Sequence, residues 1–304
     1  MKNPEIFRGV FPAFYACYDD AGQISPQRTE AFTRYLADKG VKGLYVGGSS
    51  GECIYQSVAE RKQTLESVMR VKGNLTIIAH VACNNTADSI ELARHAESLG
   101  VDAIAAIPPI YFKLPEHAIA KYWNDISAAA PNTDFIIYNI PQLAGVALTM
   151  GLFTEMRKNP RVIGVKNSSP AVQDIQQFKA AGGESCVVFN GPDEQFVGGY
   201  AIGADGGIGG TYAAMPELFL LMDRLMRQGN VDKAREVQFA VDEIIYSFFE
   251  CRGNMYAVIK EILRQKGMNI GTARPPLPAL VPEDLPKVQH CADLIDAALR
   301  KFIQ

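Results

Sequence analysis

Lys166 is the side chain whose type and setting in this sequence best suit covalent chemistry. It lies near the end of RVIGVKN (161–167), a run whose interior is apolar or small. If that run is a buried strand, desolvation of the amine disfavours the ammonium form and lowers the pKa. A neutral amine attacks a carbonyl carbon, which is the first step of Schiff-base catalysis. A lone lysine in such a place more often reaches solvent or pairs with a carboxylate, so the residues that accompany Lys166 decide whether a catalytic role is favoured.

Tyr138 is the first companion of Lys166. It lies in DFIIYNIP (134–141), the apolar run that precedes the one containing Lys166. Since a phenol both donates and accepts a proton, Tyr138 suits acid–base work if the two side chains reach one site. Taken alone, such a tyrosine more often belongs to a core, with its hydroxyl satisfied there.

The segment GGSSGE (47–52) is suited to binding an anion. Ser49 and Ser50 supply hydroxyl groups, and backbone N–H groups at a turn from strand to helix form a concave anion site without a cationic side chain. The ligand would be a carboxylate or a phosphate. Glycine is also needed in tight turns for conformational reasons, so the segment alone does not identify a ligand.

Positioning these groups together requires parallel strands whose carboxyl ends meet at one rim. Short apolar runs alternate with longer amphipathic segments, a pattern typical of βα units. One such segment has Ser25 as its predicted N-cap and Pro26 at the first helical position, and it ends at Gly40. The eight apolar runs are 9–16, 43–48, 75–81, 102–109, 134–141, 161–167, 186–191 and 205–210.

Eight such units most economically form an α/β protein of the (β/α)8 TIM barrel type, with an open doubly wound sheet as the alternative. We expect the barrel to occupy residues 1–225 and a helical C-terminal extension to occupy residues 226–304. Active sites of these barrels lie at the carboxyl ends of the strands. The segments there carry small, hydroxyl and titratable residues: Tyr111 in PPIY, Ser168 in VKNSS, and Gly191, Asp193 and Glu194 in NGPDE.

Composition and charge argue against several other classes of protein. Of 304 residues, 48% are hydrophobic and 21% charged, as in globular enzymes, and the net charge of -3 provides no positive field for nucleic acid or an anionic membrane. We see neither a signal-peptide core nor the ~20 apolar residues that span a bilayer, so we expect a cytoplasmic protein. The six cysteines and four histidines lack metal-ligand spacing, so we expect no metal.

The ordered motifs GGSSGE, YNIP, GVKNSS and NGPDE resemble those of the dihydrodipicolinate synthase and N-acetylneuraminate lyase superfamily, and the resemblance covers essentially the whole chain. It implies class I aldol chemistry on a 2-keto acid, with pyruvate as one product. Lys166 would be the Schiff-base lysine and Tyr138 the proton-transfer residue. This chemistry needs neither a metal nor an organic cofactor.

The other matched positions imply substrate contacts. Ser49 and Ser50 match the pair that holds the pyruvate carboxylate, and Ser168 matches a position, commonly threonine, near the reacting hydroxyl. Tyr111 resembles a tyrosine that lies near a subunit interface in this superfamily, and this resemblance implies a homotetramer. The residues that match those holding the polyhydroxyl part of a sugar are Gly191, Asp193 and Glu194.

Two positions bear on the identity of the substrate. Leu143 stands where dihydrodipicolinate synthases carry an arginine for a second substrate carboxylate. Together with YNIPQLAGV and TARPPLPAL, it resembles the neuraminate lyase branch. Gly210 stands where lyases usually have a serine that contacts the sugar tail. The resemblance therefore implies cleavage of N-acetylneuraminate to pyruvate and N-acetylmannosamine, with one polar contact to the sugar tail fewer than in lyases that carry the serine.

Several alternatives stay open on the sequence alone. A 2-keto-3-deoxy sugar acid aldolase or a dihydrodipicolinate synthase-like pyruvate aldolase would share the lysine and the tyrosine. A barrel phosphosugar enzyme is suggested by DGGIGG (205–210), but the acidic residues Asp193 and Glu194 and the lack of a nearby basic residue disfavour it. A non-catalytic sugar-binding family member would more readily lack Lys166 or Tyr138.

Overall fold

A computed structural model describes residues 3–303 of the chain. Each predicted apolar run contains one strand, although the runs extend beyond the strands. The run 9–16, for example, forms a strand only up to Pro12, which has no N–H to donate to the ladder. Within the described residues the strands are β1 (Gly9–Pro12), β2 (Gly43–Val46), β3 (Thr76–His80), β4 (Ala103–Ala106), β5 (Asp134–Asn139), β6 (Val162–Asn167), β7 (Val187–Asn190) and β8 (Gly206–Gly209).

These strands form one parallel sheet in the order β1-β8-β7-β6-β5-β4-β3-β2. The first and last strands of that order also meet, through hydrogen bonds from Lys42 N–H to the Val10 carbonyl (3.0 Å) and from Phe14 N–H to the Tyr45 carbonyl (2.9 Å). The sheet thereby closes on itself, which confirms the predicted (β/α)8 barrel. The alternative of an open doubly wound sheet is wrong, because such a sheet keeps two unpaired edges.

Helices surround the barrel, and the first of them begins and ends as the sequence predicts. Ser25 accepts a hydrogen bond from Arg28 N–H, Pro26 is the first helical residue, and Gly40 lies just beyond the end with φ +83°. In residues 3–303 the α-helices are α1 (Pro26–Asp38), α2 (Val58–Val71), α3 (Thr86–Ser98), α4 (Glu116–Ala129), α5 (Pro141–Ala144), α6 (Met150–Met156), α7 (Gln173–Gly182), α8 (Phe196–Ala201), α9 (Pro216–Arg227), α10 (Val231–Phe248), α11 (Met255–Gln265) and α12 (Leu285–Phe302).

The register between β5 and β6 places Tyr138 beside Lys166. Paired residues of neighbouring parallel strands point to the same face, and faces alternate along each strand. One residue earlier, Ile137 and Val165 pack in the layer between sheet and helices, whereas Ile136 and Tyr138 belong to the cluster inside the barrel. The side chains of Tyr138 and Lys166 therefore point into the barrel, at its carboxyl end.

The last three helices follow the eight βα units. α10 packs against α9 and α12, and α11 packs against α12. The boundary predicted at residue 225 falls within α9, and the division of the chain there stays a prediction. The proline-rich segment between α11 and α12 forms an ordered connection that ends in a 3-10 turn at Pro282–Asp284. No helix in the described part of the chain is both long and apolar enough to cross a membrane.

Candidate active site

A cavity of about 240 Å³ lies at the carboxyl ends of the strands. Side chains from several strands and from the loops that follow them line it, as the barrel architecture predicts. Apart from Tyr111, every site residue predicted from the sequence lines this cavity. These residues are Lys166, Tyr138, Ser49, Ser50, Ser168, Gly191, Asp193, Glu194 and Leu143.

Tyr111 lies elsewhere on the surface of the chain. It lines a different cavity, together with Lys121 and Asp125 of α4. The side chain of Tyr111 is 90% exposed and packs edge-on against Phe112, with ring centroids 5.0 Å apart. Within a single chain, the Tyr111 hydroxyl therefore contributes nothing to the cavity that contains Lys166.

The amine of Lys166 is buried between two aromatic rings. Its Nζ lies 4.3 Å from the ring centroid of Tyr45 and 4.0 Å from that of Tyr138. Burial lowers the pKa of Lys166 to about 7, although the carboxyl group of Asp193 acts in the opposite direction. A large fraction of the amine is therefore neutral near pH 7, and the neutral amine is the nucleophilic form.

This lowered pKa predicts the pH dependence of carbonyl addition at Lys166. The neutral fraction of the amine rises with pH until the pH exceeds the pKa of about 7. We therefore expect the initial rate of pyruvate trapping with cyanoborohydride to fall about tenfold per pH unit below that pKa and to level off above it. Mass spectrometry of the adduct gives these rates. A rate that rises steadily towards the ordinary lysine pKa of about 10.4 would contradict the prediction.

Tyr138 places a buried phenol in the lining of the cavity. The side chains of Ser49 and Ser168 line the same cavity and lie close enough to its hydroxyl to interact with it. Burial raises the pKa of Tyr138 to about 12, while the interactions with these two serine side chains act in the opposite direction. Without a ligand, the phenol is therefore protonated near neutral pH, and a proton can pass through it only if one leaves as another arrives.

Tyr45 and His80 complete the aromatic wall around Tyr138, and the sequence analysis assigned neither to the site. The ring centroids of Tyr45 and His80 lie 5.7 Å and 6.0 Å from that of Tyr138. His80 Nδ1–H donates to the Gly47 carbonyl (2.9 Å), and Nε2 accepts from Ile107 N–H (3.4 Å). Burial holds the pKa of His80 well below its usual value, so the ring is neutral. The available signal was that both residues occur near the carboxyl ends of strands.

The loop 47–52 folds back on itself next to Tyr138. Gly47 has φ +76°, in the left-handed region that favours glycine, and Glu52 N–H donates to the Ser49 carbonyl at 2.9 Å. Ser50 is buried, and a Cβ built on Gly210 would lie 3.1 Å from its Oγ. The glycine at 210 thus leaves room beside the Ser50 hydroxyl. Two serine hydroxyls in one tight loop suit the binding of a carboxylate.

Asp193 is the buried carboxyl group of the site. Its Oδ2 accepts from the backbone N–H and from the hydroxyl of Thr211, each at 2.6 Å. Burial raises the pKa of Asp193 to about 7, against the effect of these bonds. Two glycines make room for the polar groups here: a Cβ on Gly209 would lie 2.1 Å from Asp193 Oδ1, and a Cβ on Gly191 would lie 2.1 Å from the Ser168 hydroxyl.

The outer part of the site carries both an acidic and an exposed apolar side chain. Glu194 follows Asp193 in the cavity lining, and Leu143 is 59% exposed at the mouth. Leu143 also lines an adjoining cavity of about 530 Å³, together with Phe249 and Met255. Over residues 3–303, no group of three or more His, Cys, Asp and Glu side chains is arranged to hold a metal ion.

Comparison with known proteins identifies the family. The model of the dihydrodipicolinate synthetase family matches residues 6–294 of the chain. The chain belongs to the dihydrodipicolinate synthetase family. The resemblance predicted from GGSSGE, YNIP, GVKNSS and NGPDE is thereby confirmed.

Several named proteins are similar to this chain over nearly the whole length of both. The N-acetylneuraminate lyase of Mediterraneibacter gnavus is 65% identical over 305 residues, which cover 100% of this chain and 97% of that protein. The wild-type sialic acid aldolase of Ruminococcus gnavus has a TM-score of 0.97 at 65% identity, covering 98% of this chain and 99% of that one. A catalytic lysine mutant of the Ruminococcus gnavus sialic acid aldolase has a TM-score of 0.98 at 64% identity, covering 99% and 100%.

Proposed function

We propose that this protein is a class I aldolase that cleaves N-acetylneuraminate to pyruvate and N-acetylmannosamine. The observation that carries the proposal is the buried amine of Lys166, with its pKa lowered to about 7 and its Nζ 4.0 Å from the Tyr138 ring centroid. The 65% identity with the N-acetylneuraminate lyase of Mediterraneibacter gnavus supports the same reaction. The proposed chemistry uses neither a metal nor an organic cofactor.

In the first half of the reaction, Lys166 forms a covalent bond with the substrate. Its neutral amine adds to the C2 carbonyl of the open-chain sugar acid, and loss of water gives an iminium ion. The substrate carboxylate lies against the loop 47–52, where the hydroxyls of Ser49 and Ser50 donate hydrogen bonds to it. The iminium then acts as the electron sink: the pair of the broken bond forms a C2=C3 double bond while the C=N π pair moves to the nitrogen, which gives an enamine.

In the second half, Tyr138 transfers the proton that cleavage requires. As the C4 hydroxyl proton moves to the phenolic oxygen, the phenol passes its own proton to the substrate carboxylate, and the C3–C4 electron pair moves towards the iminium. N-acetylmannosamine leaves as the aldehyde. This relay never requires a free tyrosinate, in keeping with a phenol pKa of about 12. The carboxylic acid returns its proton to C3 of the enamine, and water then hydrolyses the resulting iminium to release pyruvate and the free amine of Lys166.

The outer residues favour a polyhydroxyl substrate over a dicarboxylate. Asp193 and Glu194 line the cavity and offer oxygen acceptors for sugar hydroxyls. Leu143 offers no cation to a second substrate carboxylate, which the acidic residues would also repel. This argues against a dihydrodipicolinate synthase activity. The presence of both Lys166 and Tyr138 in the cavity argues against a non-catalytic sugar-binding protein. The 65% identity with an N-acetylneuraminate lyase likewise does not favour a 2-keto-3-deoxy sugar acid aldolase, although Gly210 lacks a hydroxyl for a longer sugar tail.

Parallel assays on the purified protein test the substrate. We expect pyruvate release from N-acetylneuraminate. The kcat/KM for condensation of pyruvate with aspartate semialdehyde should be at least ~30-fold lower than the kcat/KM for this cleavage, because a desolvated carboxylate without a cationic partner costs ~2 kcal/mol or more. Efficient condensation with aspartate semialdehyde, or cleavage of 2-keto-3-deoxygluconate far faster than of N-acetylneuraminate, would show that the substrate is assigned wrongly.

We further propose that the protein acts as a homotetramer with Tyr111 near a subunit interface. Tyr111 and Phe112 are 90% and 71% exposed and pack against each other. Adjacent exposed aromatic side chains favour a contact surface over a solvated one. A cytoplasmic location stays a prediction.

A further inference from the structure

Two side chains of α11 contact the loop 47–52 from beyond the eight βα units. The side chain of Tyr256 lines the cavity together with Ser50 and lies close enough to interact with it, and Nζ of Lys260 donates to Oε1 of Glu52 at 2.6 Å. Tyr256 and Lys260 are four residues apart and therefore lie on one face of the helix. The C-terminal extension thus reaches the loop at two points, and the proposed mechanism uses neither of them.

Lys260 and Glu52 form a fully enclosed ion pair. Each side chain is 0% exposed. Oε2 of Glu52 accepts from the backbone N–H of Arg274 at 2.8 Å and from the Tyr18 hydroxyl at 3.2 Å, and Lys260 also donates to the Thr272 carbonyl at 3.0 Å. Because a buried charge is tolerated only when it is paired and hydrogen-bonded, each member of the pair depends on the other.

The backbone of Glu52 connects this ion pair to the serines. Glu52 has φ +54°, a left-handed conformation that is strained for a non-glycine residue and persists only where the surroundings enforce it. The side-chain partners of Glu52 hold it there. Its N–H donates to the Ser49 carbonyl at 2.9 Å, so the position of Glu52 fixes that of Ser49 and Ser50.

We propose that Lys260, acting through Glu52, positions the carboxylate-binding loop 47–52, and that Tyr256 orients the Ser50 hydroxyl within it. The C-terminal extension thereby takes part in binding the 2-keto acid. The identity of the bound carboxylate rests on the proposed function, whereas the restraint on the loop rests on geometry alone. A buried ion pair is weak evidence for stability, since apolar replacements are often equally stable. What this pair specifies is where the two serines lie.

Lys260→Met tests the proposal because it leaves Glu52 without its counter-charge. Amide hydrogen exchange in the loop 47–52 should become at least ~10-fold faster, and the KM for pyruvate in the condensation direction should rise at least ~10-fold while kcat changes less than ~3-fold. Exchange followed by mass spectrometry and steady-state kinetics give these values. Tyr256→Phe should raise the pyruvate KM and leave the exchange rates unchanged.

Arg264→Ala is the matched control, because Arg264 lies one turn further along α11 in an exposed ion pair with Glu261 at 2.7 Å. This variant should change neither loop exchange nor the pyruvate KM. If Lys260→Met fails to fold, Glu52→Gln replaces it, because the amide oxygen still accepts the Arg274 N–H. Both the faster exchange in the loop 47–52 and the higher pyruvate KM should then appear to a smaller degree.

Three results distinguish the possible failures. A folded Lys260→Met protein with unchanged exchange and unchanged KM would overturn the proposal. A fall in kcat at constant pyruvate KM would also overturn it, since the pair would then act on the chemical step. If the native protein neither traps nor condenses pyruvate, the proposed function fails, while the exchange rates still decide whether Lys260 restrains the loop.

Discussion

Lys166→Met is expected to lose Schiff-base formation completely and to lower kcat for cleavage by at least ~10⁴-fold, because removal of a covalent nucleophile has effects of this order. Methionine is unbranched and apolar, so it fits a side-chain position that is 4% exposed and should preserve the fold. Treatment with pyruvate and cyanoborohydride, followed by peptide mapping, should place one adduct per chain on Lys166 of the native protein and none on the variant.

Lys158→Met provides the matched control for this substitution. The Lys158 side chain is 70% exposed and is paired with Glu155, three residues earlier. Its replacement should leave both the adduct yield and the turnover number unchanged. An adduct mapped to a different lysine, or an undiminished yield in Lys166→Met, would contradict the mechanism.

Tyr138→Phe is expected to trap pyruvate normally and to cleave the sugar acid at least ~100-fold more slowly, the lower range for loss of an acid–base group. The phenyl ring keeps the aromatic face 4.0 Å from Nζ of Lys166, so the nucleophile stays in its setting. Only the hydroxyl that interacts with Ser49 and Ser168 is lost. Single-turnover kinetics separate iminium formation from bond cleavage.

Tyr246→Phe controls for the general effect of removing a phenolic hydroxyl. Tyr246 lies on α10 with its side chain 61% exposed, and the control should turn over at the native rate. Near-native cleavage by Tyr138→Phe would remove Tyr138 from its proposed role and would favour a proton transfer by the substrate carboxylate alone.

The barrel and the inner site could be predicted because both follow from local patterns. Each apolar run is bounded by turn residues, and parallel strands end at one rim, so polar residues at the ends of different runs must meet. The pairing of Tyr138 with Lys166 is the direct outcome of this rule. The sequence analysis gave Gly191 only as a sugar contact, which stays a prediction, whereas the structure shows that a Cβ at this position would collide with the Ser168 hydroxyl.

The contacts made by the C-terminal extension could not be predicted in the same way. Tyr256 and Lys260 read as ordinary positions of an amphipathic helix, because nothing local to α11 indicates how it packs against the barrel. The Lys260–Glu52 pair joins residues 208 positions apart in the chain, which no local pattern describes. His80 was considered only as a metal ligand, although its position at the end of β3 placed it on the active rim.

The two rings beside Lys166 also determine how the site responds to charge. The faces of Tyr45 and Tyr138 lie 4.3 Å and 4.0 Å from Nζ, and the face of an aromatic ring carries the negative part of its quadrupole. A neutral amine gains little from this field. Once the iminium forms, the same faces stabilise a cation without any group having to reorient. The two ring faces therefore favour positive charge at this nitrogen both in the ammonium form of free Lys166, which is substantially populated near pH 7, and in the iminium that Lys166 is proposed to form.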